Sequence, residues 1–242
     1  MKRMFLAAVL AAVASVPASA ATLYVGHGID GRDLGADKDL AVDVCSGSTA
    51  LLTGVKFGQF AQVKLGGNAD LPVGRYDVQV RLSDGKCGGA EAISTSFFLN
   101  LTENATAIAH LTEQGTPTIT KFVNDVRPLA GGQARVYARH TAVVGDVDVA
   151  IKGQGRPVFI RGLENPDQEG ADLRAGSTYV SISEDSNGWA WGMRGTHSGQ
   201  KLFSARLDLA AGTVYFAYAV GTPDPDRAKN TFTVLLQALK LN

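Results

Sequence analysis

The 242-residue chain balances 23 basic against 23 acidic side chains, with 19% charged residues, 28 glycines and two cysteines. Such neutrality excludes a nucleic-acid binder that works by counterion release. Many glycines with few charges suit strands and tight turns, not long solvated helices.

Residues 1–20 read as a signal peptide. Lys2 and Arg3 precede an Ala/Val/Leu run over 5–16 that is too short to span a bilayer, and Ala18-Ser19-Ala20 suits cleavage before Ala21. The short, Ala-rich form looks bacterial. The mature chain then keeps 21 basic and 23 acidic side chains. It has no later apolar stretch of membrane-spanning length. We expect export, to the periplasm or beyond, with no transmembrane segment left.

Residues 22–26 predict a first strand that ends at His27. Residues 28–37 form a Gly/Asp-rich loop. From 40 to 45, Leu40, Val42 and Val44 alternate with Ala41, Asp43 and Cys45, as in a strand with one buried face. Strands over 51–57 and 60–65 follow the turn at Ser46-Gly-Ser48. Asp70-Leu-Pro-Val-Gly74 is a turn that launches 75–82, where Tyr76, Val78 and Val80 share a face. Asp84-Gly85 is a hairpin signal. Strands over 93–101, 106–111 and 117–123 lead into 124–133, which holds Pro128 and Gly131-Gly132 and marks a boundary.

The order then repeats. Ala134-Arg-Val-Tyr-Ala-Arg-His140 echoes Leu23-Tyr-Val-Gly-His27, and Val147-Asp-Val149 echoes Val42-Asp-Val44. Residues 158–160 stand for 51–53, and Asp172-Leu-Arg-Ala-Gly176 stands for the turn at 70–74. Strands over 178–182, 203–209 and 213–220 follow, and 231–241 closes the chain. Each half offers about seven short strands at even spacing. That predicts an all-β protein: two tandem immunoglobulin-like β-sandwich domains, 21–129 and 130–242, behind the signal peptide 1–20. A membrane barrel is the rival, but its strands would need ~10 residues each.

Cys45 and Cys87 predict one disulfide in an oxidising compartment. It closes a loop of ~40 residues, for about 4 kcal/mol of chain entropy. Ala150 stands where Cys45 would repeat, so the bridge belongs to the first half alone.

The phrase strand-His, Gly/Asp loop, Val-Asp-Val, then Val-Lys-Phe-Gly58 and Leu-Pro-Val-Gly-Arg-Tyr-Asp-Val78, resembles bacterial domain-of-unknown-function family 4397. The second half is similar through Ala-Arg-Val-Tyr-Ala-Arg-His140, Val147-Asp-Val149, Leu173-Arg-Ala-Gly176 and Leu209-Ala-Ala-Gly-Thr-Val-Tyr215. The resemblance implies exported, often tandem, β-rich domains, and it implies no reaction.

His27 and His140 hold equivalent places, and the expectation is a ring that hydrogen-bonds loop backbone. No nucleophile motif accompanies them, and His110 and His197 lack ligand-spaced partners. The loop with Asp30, Asp33, Asp37 and Asp39 reads as a solvated acidic loop. Calcium is the alternative there, although the spacing fails the EF-hand pattern. Asp224 and Asp226 read as turn formers. Asp43 and Asp148 face away from the flanking valines, as solvent-face residues or local hydrogen-bond anchors. Trp189 and Trp191, in Gly188-Trp-Ala-Trp-Gly192, share one face if extended. They are core bulk or an exposed platform for a glycan or an envelope protein. The sequons at Asn100 and Asn104 carry no weight in a bacterial chain.

The expected function is a non-enzymatic binding or structural module of the envelope, without cofactor or metal. The alternatives are a hydrolase-type site between the domains, which would need His27, His140 or Asp43 to gather beside a nucleophile, and a calcium-stabilised spacer.

Overall fold

The computed structural model describes residues 21–64, 68, 70–184, 200–224 and 230–241, and the backbone of 14–15. The first half holds β2 (Thr22–His27), β3 (Val42–Ser46), β4 (Thr49–Val55), β5 (Phe60–Gln62), β6 (Gly74–Leu82), β7 (Glu91–Leu99), β8 (Asn104–Leu111) and β9 (Pro117–Val123), after a two-residue β1 (Ala14–Ser15). The second holds β10 (Gln133–Ala142), β11 (Val147–Lys152), β12 (Val158–Leu163), β13 (Asp167–Arg174), β14 (Gly176–Glu184), β15 (Lys201–Leu209), β16 (Thr213–Gly221) and β17 (Thr233–Lys240).

The halves share one topology. Sheets β5-β2-β8-β9 and β4-β3-β6-β7 correspond strand for strand to β13-β10-β16-β17 and β12-β11-β14-β15. In each half the first strand pairs in parallel with the seventh. The chain is thus two tandem β-sandwiches, each with eight strands among the described residues, where about seven were expected. The added strand of the second half is β13, which runs antiparallel to β10 through residues expected to form a turn. It is a polar edge strand, Asp-Gln-Glu-Gly-Ala-Asp-Leu-Arg, so no apolar alternation announces it. Ala14–Ser15 pair in parallel with Leu239 and Lys240 on the outer edge of β17.

Three cores follow from the alternation of side chains. Leu23, Val25, Val44, Val78, Val80 and Leu99 centre the first sandwich, and Val136, Val149, Ile151, Val180 and Ile182 the second. A third core joins them: Tyr24, Ile108 and Phe122 meet Val214, Phe216, Tyr218 and Leu235. In β8, Ala105, Ala107 and Ala109 face the first core, while Ile108 faces the third. In β16, Tyr215 and Ala219 face the second core, while Phe216 and Tyr218 face the third. The four sheets therefore stack, and the middle two are buried on both faces. Every residue of β8 is buried. Strands in that position read as continuous apolar runs, such as Val-Tyr-Phe-Ala-Tyr-Ala-Val in β16.

The third core contains a cation. Arg139 is 1% exposed. Its guanidinium lies 4.7 Å from the Phe122 ring centre, 4.2 Å from Phe216 and 5.1 Å from Tyr218. Nε donates to Gln168 Oε1 (2.9 Å), Nη1 to the Tyr218 hydroxyl, and Nη2 to Asn124 Oδ1 (2.8 Å) and the Val123 carbonyl (3.2 Å). Burial lowers its pKa below the usual arginine value, against the opposing pull of Tyr218. Tyr218 and Thr106 both donate to Gln237 Oε1, at 2.9 and 3.0 Å. Asn165 adds a clasp, donating to the Leu111 and Ala142 carbonyls at 3.1 and 2.7 Å.

Cys45 and Cys87 are bonded, with Cα atoms 6.1 Å apart and a sequence separation of 42. Replacing both with serine is expected to cost about 4 kcal/mol. Hydrogen exchange should show the loss on β3, β4, β6 and β7, with β11–β15 protected as before. Equal loss in both sandwiches would show that the bridge stabilises the assembly and not its own sheet.

A cleft in the second sandwich as the candidate functional site

The repeated Asp of Val-Asp-Val anchors a bulge. Val42 pairs with Val55 but Val44 with Leu52, so β4 carries an extra residue there. Gly54 fills that bulge at φ +65°, where a side chain would be strained. Its N–H donates to Asp43 Oδ1 at 2.9 Å. The second half repeats the device. Val147 pairs with Leu163 and Val149 with Ile160, Gly162 sits at φ +56°, and its N–H donates to Asp148 Oδ1 at 3.0 Å. Asp43 also accepts from Ser83 Oγ (2.6 Å), Asp84 N (3.1 Å) and Gly85 N (2.8 Å). Burial pushes its pKa up, but the Ser83 hydroxyl and the backbone donors outweigh that and hold it at about 2. Both aspartates are buried, so the anchor reading holds and the solvent-face reading does not.

The equivalent histidines diverge. His140 Nε2 lies 3.1 and 3.0 Å from the Val144 and Gly145 carbonyls, so this ring fixes its loop as expected. Neither ring nitrogen of His27 has a hydrogen-bond partner of good geometry, which corrects the same expectation there. Burial lowers the His27 pKa to about 4, against the Leu40 backbone and Asp30. His110 is held between the Leu111 carbonyl (2.9 Å) and the Thr120 hydroxyl (2.8 Å). His27 belongs to the first sandwich, His140 to the second, and Asp43 to the outer side of the first. They do not gather beside a nucleophile.

The acidic loop is not uniformly solvated, which corrects that expectation. Asp30 is 1% exposed. It caps a short 3-10 turn, Gly31–Leu34, and accepts from Arg32 N (3.0 Å), Nε (3.0 Å) and Nη2 (2.7 Å). Asp33 Oδ1 accepts from the Thr231 hydroxyl at 2.7 Å, across to the second half. Burial raises the Asp33 pKa. Asp37 and Asp39 are exposed, and among the described residues no group of three or more His, Cys, Asp or Glu could hold a metal. Asn104 is buried and accepts from Asn124 at 2.7 Å. Trp189, Trp191, His197 and Asp226 lie outside the described residues.

Sequence reasoning missed a cavity. The interior of the first sandwich leaves only ≈ 10 Å³ of space. The second opens a cleft of ≈ 490 Å³, lined by the inner faces of both its sheets, with Lys38, Asp39 and Phe57 of the first half at one end. Register shows where bulk is lost near the middle of the sheet, although Tyr215 stands where the first core has Ala105. Val25 pairs with Ala107 as Ala138 pairs with Ala217, and Leu23 and Val25 of the first core thus correspond to Val136 and Ala138 of the second. Both replacements are smaller. The open edges differ as well. In the first sandwich β7 and β9 pack edge to edge, and Lys121 of β9 donates to the Phe98 carbonyl of β7 at 2.7 Å while pairing with Glu103. In the second, the matching edges carry half-buried Phe203 and Leu207 on β15, and Val234 and Leu236 on β17. The signal in the sequence was Ala138 where the first repeat has Val25.

Residues 35–150 match the model of a family described as Domain of unknown function (DUF4397). No curated protein matches the chain. Among solved structures, the Bacillus anthracis TIE protein is similar at 12% identity and a TM-score of 0.25, over 92% of this chain and 34% of that one, so this chain spans about a third of its length. CBMbc (family CBM26) from Eubacterium rectale Amy13K, solved with maltoheptaose, is similar at 9% identity and a TM-score of 0.26, over 88% of this chain and 95% of that one. Scores of that size bear on neither architecture nor ligand. The family match opens ahead of the first Val-Asp-Val and closes just past the second. Residues 35–150 thus carry the match to the DUF4397 family, across most of the first sandwich and into the second.

Proposed function

We propose that the protein is an exported, non-enzymatic binding module of the bacterial envelope, built as units 21–129 and 130–242 after loss of 1–20, whose second sandwich seats an elongated apolar ligand. The cleft carries this reading. Sealed and empty, ≈ 490 Å³ of apolar void would cost on the order of 10 kcal/mol. That equals the net stability of a whole domain, so the space persists by opening to solvent or by holding a guest. Its size falls in the range of ligand pockets, and its lining, mostly Val, Ile, Leu, Phe and Ala with Lys38, Asp39, Arg139, His140 and Thr233 beside them, favours a hydrocarbon with a polar end. Counted in water-sized groups, it takes roughly sixteen, which is the scale of one acyl chain.

The test is displacement of an apolar fluorescent probe by fatty acids of rising chain length, with wild type and Ala138→Leu. Wild type is expected to bind, with affinity rising until the cleft is full. At 100 times the dissociation constant the ligand should add about 2.7 kcal/mol of stability. Ala138→Leu, which restores the bulk of the first sandwich, should weaken binding at least tenfold without lowering the melting temperature. Wild type that binds neither probe nor fatty acid would overturn the proposal.

A further inference from the structure

The sheet that floors the cleft has an outer face, and it differs in kind from its counterpart. On the first sandwich, Asp43 and the Cys45–Cys87 bond hold residues 83–88 against the outer sheet, and Cys45 is fully buried there. The charges on that face are neutralised in pairs, Arg75 with Asp77 and Arg81 with Glu91. On the second sandwich Ala150 replaces Cys45, and no disulfide staples a loop across. Phe159 and Tyr179 stand 38% and 41% exposed. The outward positions of the same sheet carry exposed Lys152, Arg161, Lys201 and Arg206. Lys201 donates to the Tyr179 hydroxyl at 3.1 Å, and Arg206 to the Ser177 hydroxyl. Two aspartates share the face. Asp148 is committed to Gly162, and Asp208 lies at the end of the sheet beside Ser177.

We infer that this face is a binding site for an anionic polysaccharide. Phe159 pairs with Ala150, Ala150 with Ser181, and Tyr179 lies one outward position further along β14. Strand spacing puts the two aromatic positions about 12 Å apart. On the strand between them, Ala150 lies in the row of Phe159 and Lys152 in the row of Tyr179, so a low floor adjoins a cation. Two rings flanking a shallow trough suit the flat apolar faces of sugar rings. The surrounding cations suit carboxylate or sulfate groups on the same chain. Exposed cations alone would take any polyanion; the aromatic pair selects a carbohydrate. This site is separate from the cleft and does not depend on its ligand.

The experiment is affinity electrophoresis and calorimetry of the oxidised mature protein with polygalacturonate, dextran and double-stranded DNA. Polygalacturonate should bind, and dextran should bind at least tenfold more weakly. Raising salt from 50 to 500 mM should weaken polygalacturonate strongly. Tyr179→Ala should cost about tenfold for polygalacturonate, and Lys152→Gln with Arg206→Gln a similar factor. Arg81→Gln, on the first sandwich, should leave binding unchanged. All these positions are on the surface, and unchanged melting curves would show each variant folded. DNA binding as tight as polygalacturonate, or Tyr179→Ala without effect, would reduce the face to a non-specific charged patch. Absence of binding to any polyanion would also overturn the site.

Discussion

Replacing Arg139 with alanine is expected to remove about 4 kcal/mol of stability. The deletion removes a charged donor from the Tyr218 hydroxyl, Asn124 Oδ1 and the Val123 carbonyl, which keep only Gln237, Thr106 and Gln168 as side-chain partners, and it empties the space between the Phe122 and Phe216 rings. Each unmade buried bond costs about 1–3 kcal/mol before relaxation, and the lost packing of the long stem adds to that. Arg139→Met is expected to cost less than Arg139→Ala. It keeps the volume and removes a buried charge whose desolvation offsets much of its bonding. Arg139→Lys should fall between them, since an ammonium cannot reach four acceptors in one plane. Urea unfolding checks the series. Wild type should unfold in one transition, because the third core joins the sandwiches. Arg139→Ala should split that transition in two. A single transition with unchanged midpoint would mean that the aromatic contacts hold the interface without the cation.

Asp43→Ala is the second large effect, at about 3 kcal/mol at neutral pH. It strands the Gly54, Asp84 and Gly85 N–H groups and the Ser83 hydroxyl together. The carboxyl also sets a pH dependence. Its pKa is about 2 in the folded protein, against an ordinary value of 3.8. A depressed carboxylate stabilises the fold in full above the ordinary value and loses its contribution as pH falls through the folded one. The window is therefore pH 4 down to 2, and the contribution is about 2 kcal/mol. Urea midpoints of wild type and Asp43→Asn should converge as pH falls across that window. A gap that stays constant from pH 7 to pH 2 would show that the Asp43 carboxyl titrates alike in the folded and unfolded chain, so that its ionisation contributes nothing to stability.

Much of the architecture was legible, for definite physical reasons. Val42-Asp-Val44 and Val147-Asp-Val149 alternate cleanly because one face of each strand meets a core and the other holds a bulge anchor. Cys45 and Cys87 had no other partners. The stacking of the sandwiches was harder to read. Arg135, Tyr137 and Arg139 alternate with Ala134, Val136 and Ala138, and a polar face looks like a solvent face until something packs on it. The clue was β8 and β16, where Ile108, Phe216 and Tyr218 interrupt what should be the exposed side. The edge strand β13 was hidden by its polar composition. The cleft turns on Ala138 in place of Val25, a change visible only once the register aligns the two residues. The ring of His27, which finds no well-aligned carbonyl where His140 finds two, shows that equal positions in a repeat need not share a role.

The stacking of four sheets has a geometric consequence. With about 10 Å between packed sheets, the outermost two lie about 30 Å apart and look in opposite directions. A pair of domains strung on a flexible tether could fold back and compete for one target. This molecule is a plate with two sides that cannot meet. One side is capped by a disulfide-pinned loop, and the other carries aromatic rings and cations. Whatever meets one side is held about 30 Å from whatever meets the other.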